Sequence, residues 1–177
     1  RIWELELQPS LGPAQGVMIQ SQPDFMLYCD DESIKPLAIF TDGFEFHCYP
    51  NNRLADDAKK RRAIIESGNY TVWSVTWEDL VTENKDHVMI CHPALADYLS
   101  QCQRILSQNH KGIPDALRLT RNGMEQLKAF VAAPSEAGWE LMTDFAIFRP
   151  LQLLMEKRRV SHADLQEAMN NWLTGSG

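Results

Sequence analysis

Residues 36–49 read Pro36-Leu37-Ala38-Ile39-Phe40-Thr41-Asp42-Gly43-Phe44-Glu45-Phe46-His47-Cys48-Tyr49. Four apolar residues directly after a proline predict a short buried strand. The run ends in a hydroxyl and a carboxylate, Thr41 and Asp42, and Gly43 permits a sharp turn behind them. Polar groups at the end of a buried strand are where α/β proteins place their chemistry. His47 follows five positions after Asp42, between aromatic and thiol neighbours.

Working outward, the upstream segment Pro23-Asp24-Phe25-Met26-Leu27-Tyr28 brings a second acid onto a second strand. That strand is expected to open at residues 17–21, to bend at Pro23 and to continue over residues 24–28. The acidic turn 29–33 joins it to the strand over residues 37–41. Further upstream, residues 2–7 alternate Ile2, Glu4, Glu6 against Trp3, Leu5, Leu7, the pattern of a half-buried strand. Pro9, Gly12, Pro13 and Gly16 mark the loop between them. Downstream, a charged stretch from Leu54 to a stop at Gly68 predicts a helix with one face toward the core. Residues 70–80 read as another strand, clearest over 70–76. The order strand, strand, strand, helix, strand predicts an α/β layer with a mixed sheet.

The second half reads as mainly helical. Leu95, Leu99, Cys102 and Leu106 recur at helical spacing, and Met124, Leu127 and Val131 mark another helix that Pro134 stops. Residues 139–147 alternate like an extended stretch, residues 151–157 read as helix, and Ser161 resembles an N-cap opening a last helix. The expected organisation is one domain: an α/β core over residues 1–80, a helical extension over 81–173 packed on it, and a flexible tail at 174–177.

The 177 residues suffice to bury a core without staples. No apolar run is long enough for a bilayer, and no signal-peptide pattern opens the chain. Four scattered cysteines without a Cys-x-x-Cys pair read as reduced thiols of a cytoplasmic protein, and their spacing with histidines fits no zinc pattern. The first residue is Arg1 rather than Met, which reads as a piece of a longer protein. Net charge is −7, from 17 basic and 24 acidic residues, which argues against a surface that grips nucleic acid all round. Local basic faces remain, and Lys60 and Arg61 within Lys59-Lys60-Arg61-Arg62 are the first candidates for phosphate contacts. Solvated helix charge is the plainer account of that run.

Asp24 and Asp42 carry hard oxygens suited to Mg²⁺ or Mn²⁺. Adjacent strands lie about 4.8 Å apart, so two such carboxylates on neighbouring strands can share one ion. His47 has the chemistry of a general base or of a donor to a phosphate. The ordinary alternatives are a turn at Asp42-Gly43, a strand-start acid at Asp24 and a packed histidine at 47.

With the strand order, Pro23-Asp24 and the segment Ile39-Phe40-Thr41-Asp42-Gly43-x-x-Phe46-His47 together, the chain resembles the PD-(D/E)xK restriction-endonuclease-like superfamily. More narrowly, it resembles the very-short-patch mismatch-repair (Vsr) endonucleases. The basic helix, Gly68 and Val72-Trp73-Ser74-Val75-Thr76-Trp77-Glu78 continue the likeness, which covers about residues 17–80. The resemblance implies a metal-binding Asp24, a Thr41 whose backbone carbonyl meets the metal, and a His47 near the reacting phosphate. Asp42 stands where Vsr proper has histidine, and the superfamily's motif lysine is absent from the third strand. The family's first helix, which often carries a glutamate, would precede Arg1. The Asp-Gly-Phe-x-x-His and Val-Trp-x-x-Thr-Trp strands also resemble the nuclease-like module near the C-terminus of large bacterial DEAD/DEAH-box helicases, some of them in phage defence. The implied activity is metal-dependent DNA cleavage within a larger helicase chain or complex. The alternative is a degenerate nuclease fold that docks DNA or protein.

Overall fold

The structure, a computed structural model, describes residues 1–42, 53–80 and 123–134. Among the described residues, four strands form one sheet in the order of the chain: β1 (Trp3–Leu7), β2 (Phe25–Cys29), β3 (Leu37–Asp42) and β4 (Thr71–Thr76). β1 pairs antiparallel with β2, and β2 antiparallel with β3, whereas β3 and β4 are parallel. A parallel pair needs a crossover, and α1 (Leu54–Glu66) lies in that connection. The sheet is therefore mixed and the layer is α/β, as the pattern predicts.

Period-2 alternation divides the sheet into two buried faces. On one, Leu37 and Ile39 of β3 and Trp73 and Val75 of β4 pack with Ile34 and Phe130. Phe130 belongs to α3 (Gly123–Ala132), the helix expected around Met124, Leu127 and Val131. On the other face, Met26 pairs with Ala38, and Ala38 with Val72. All three are buried, as are Ala58 and Ile64 of α1, which packs on β4. α1 stops where expected. The Gly68 N–H donates to the Ile65 carbonyl (3.0 Å) from a left-handed φ of 73°, a conformation that glycine adopts without a Cβ penalty.

Three expectations change. Residues 17–21 form no strand of the sheet. A 3₁₀ turn at Pro13–Gln15 folds the loop back, so that Leu11 and Ser21 make an isolated bridge with two 2.8 Å bonds. Pro23 has no N–H to extend the ladder, and β2 starts only at Phe25. Residues 77–80 are not strand but a helical turn, α2 (Trp77–Leu80), which turns Asp79 inward. β1 is half-buried only at Trp3, because α3 meets this face there, with Phe130 6.0 Å from the Trp3 ring. Leu5 and Leu7 are exposed. The helices expected around residues 95–106, 151–157 and 161–173, and the extended stretch at 139–147, lie outside the described residues.

Candidate functional site

Strand direction gathers the candidate residues. β3 and β4 both run toward the same end of the sheet, where Asp42 is level with Thr76. β2 runs the other way, so its start lies at that end, and β1 finishes there, with Leu7 opposite Phe25. The carboxyl ends of a parallel pair are where open α/β sheets bind ligands. Asp24 immediately precedes β2 and so falls beside the last residues of β3.

Its carboxylate is held there. Oδ2 of Asp24 accepts the backbone N–H of Thr41 at 2.7 Å and the Thr41 hydroxyl at 2.9 Å. The backbone of Asp24 is fixed separately, because its carbonyl accepts the Gln8 N–H at 2.9 Å. Gln8 stands at φ 48°, a left-handed conformation unusual for a residue with a side chain. The Gln22 amide closes the group by donating to the Gln8 carbonyl at 3.0 Å. Asp24 is thus anchored at both ends of its residue while its side chain stays partly open to solvent.

Asp42 is the final residue of β3. Its side chain and the whole of His47 lie outside the described residues. Of the predicted set, the structure therefore brings Asp24 and Thr41 into direct contact and puts Asp42 next in the chain. Lys60 pairs with Asp56 one helical turn away at 2.6 Å. Arg61 is 5% exposed, with its guanidinium 4.8 Å from the centre of the Phe40 ring. A desolvated cation over an aromatic face contributes about 2 kcal/mol. Arg61 consequently ties α1 to β3 on the sheet face that carries Ala38 and Phe40.

Asp24 presents a hard carboxylate oxygen, and both Thr41 bonds fall on Oδ2, so Oδ1 accepts no hydrogen bond among the described residues. That oxygen, with carbonyl and carboxylate oxygens from the end of β3, is the donor chemistry that Mg²⁺ or Mn²⁺ takes. No cluster of three acidic, histidine or cysteine side chains forms among the described residues. The sequence missed Gln8, since nothing in Leu7-Gln8-Pro9 signals a left-handed residue. It also missed that Thr41 acts through its N–H and hydroxyl. The burial of Arg61 was equally hidden, because its run of four basic residues reads as solvated.

No helix among the described residues is long and apolar enough to cross a membrane. Compared with known proteins, the chain matches no family model, no curated protein and no solved structure.

Proposed function

We propose that this chain is a metal-dependent DNA endonuclease domain that hydrolyses phosphodiesters at the end of β3, as part of a larger DNA-processing or defence helicase. The observation that carries the reading is the anchored Asp24 carboxylate, bound through one oxygen to Thr41 and with no hydrogen bond to the other among the described residues, beside the strand that ends in Asp42. Asp24, the Thr41 carbonyl and Asp42 would hold Mg²⁺ or Mn²⁺. Such an ion supplies Lewis-acid polarisation of the phosphate and an acidified water. Asp24 contributes fixed negative charge, and the two Thr41 bonds keep it from swinging away. His47 would take a proton from the attacking water or donate to the phosphate. Residues 37–39 are held between β2 and β4, and residues 40–42 continue along β4, so the group extends from paired strand backbone.

The test is cleavage of supercoiled, linear and single-stranded DNA with Mg²⁺ or Mn²⁺, beside Asp24→Ala. Cleavage by the wild type, reduced at least about 100-fold in the variant, is the expected result. Absence of both cleavage and divalent-ion binding in the wild type overturns the reading.

A second reading, a docking module that binds DNA or protein without turnover, is favoured by the net charge of −7 and by β3, whose sequence Leu37-Ala38-Ile39-Phe40-Thr41-Asp42 lacks the superfamily's motif lysine. Salt-sensitive DNA binding without cleavage, unchanged in Asp24→Ala, would select it.

A further inference from the structure

Resting on the endonuclease reading, we infer that Thr41 is a positioning residue whose hydroxyl presets the Asp24 carboxylate for a divalent cation. Two donors on one residue converge on a single oxygen, the N–H at 2.7 Å and the hydroxyl at 2.9 Å. An exposed aspartate ordinarily rotates about two side-chain torsions, and each hydrogen bond removes part of that freedom. Two bonds from one residue fix both the plane of the carboxylate and the choice of oxygen. The oxygen left over, Oδ1, is then turned consistently away from Thr41. This is how outer partners orient metal-binding carboxylates, and their removal typically weakens metal binding by about 10–100-fold.

The backbone donor cannot be mutated, but the hydroxyl can. Thr41 is exposed on the last rungs of β3, opposite Val75, so Thr41→Val keeps a β-branched strand former and removes only the hydroxyl. Thr41→Ser restores the hydroxyl on a smaller side chain. Mn²⁺ binding is measured by calorimetry and by the spin-resonance signal of free Mn²⁺, on wild type, both variants and Asp24→Asn, with circular dichroism to verify folding. Thr41→Ala replaces Thr41→Val if the latter does not fold.

The expected pattern is loss of Mn²⁺ binding in Asp24→Asn, a loss of about tenfold in Thr41→Val, and wild-type affinity in Thr41→Ser. In the metal-free protein, the Thr41 amide proton resonance shifts in Asp24→Asn, as expected for a proton bonded to a carboxylate. Equal affinity in wild type and Thr41→Val overturns the positioning role while leaving the endonuclease reading standing. Equal weakening in Val and Ser variants does the same. A wild type that binds no Mn²⁺ overturns both.

Discussion

At the residue scale, the sheet is stapled by polar side chains whose bonds follow from register. Tyr28 lies opposite Glu4, and its hydroxyl donates to Oε2 of Glu6 at 2.8 Å. Burial, then the bond to Glu6 and the charge beside it, push the phenol up to about 12 from an ordinary 10.0. The folded state thus holds the Tyr28 proton more tightly than the unfolded chain does. This contribution to stability is complete below about pH 10 and is lost as pH rises toward about 12. Chemical denaturation across that range is expected to show a decline in wild type that Tyr28→Phe reduces. Equal declines in the two proteins would assign the loss to other groups. Asp31 shows the opposite case. Its carboxylate accepts the Ser33 hydroxyl at 2.6 Å and the Ser33 N–H at 3.0 Å, which holds its pKa below the usual value and fixes the turn before β3.

At the element scale, α3 is fixed by its first residue. The Gly123 N–H donates to Oδ1 of Asp79 at 2.8 Å, and the Gly123 carbonyl accepts the Trp73 indole N–H at 3.0 Å. A buried carboxylate at a helix N-terminus satisfies an orphan donor and complements the helix dipole. Trp73 in turn packs on Phe130, with ring centres 6.4 Å apart. The closeness leaves no room for a side chain, since a Cβ on Gly123 would stand 2.8 Å from Asp79 Oδ2 and 3.0 Å from the Ser74 carbonyl oxygen. Gly123→Ala is therefore expected to lower unfolding stability by about 1–3 kcal/mol in urea. An unchanged midpoint would show that α3 is free to shift on the sheet. Likewise, α1 is amphipathic by an unusual route. Its inward face carries Ala58, Ile64 and an arginine, because Phe40 offers a ring on which a guanidinium can lie.

At the scale of the whole molecule, the proposed action on DNA would be constrained by net charge and by the placement of Lys60 and Arg61. With a charge of −7 on the chain, one basic candidate paired and the other buried, α1 itself would neutralise few phosphates at once. The logarithm of DNA affinity should fall with the logarithm of salt at a slope of about −1 to −3, measured by fluorescence anisotropy. A slope near about −6 or steeper would reveal a broad basic face. Sequence periodicity alone determined β3, β4, α1 with its Gly68 stop, and α3, because hydrophobic alternation, helical spacing and a glycine end are local signals. It also marked Asp24, Thr41 and Asp42 as polar groups at strand ends. It misjudged residues 17–21 and 77–80, where a proline turn and the inward turn of Asp79 outweighed strand-like composition. Tertiary structure alone decided that β2 runs antiparallel to β3, which sets Asp24 beside Thr41, 17 positions further along the chain. It also decided that Gln8 clamps the Asp24 backbone and that Arg61 lies inside. Each of these depends on which strands become neighbours, a property of packing that no local pattern encodes.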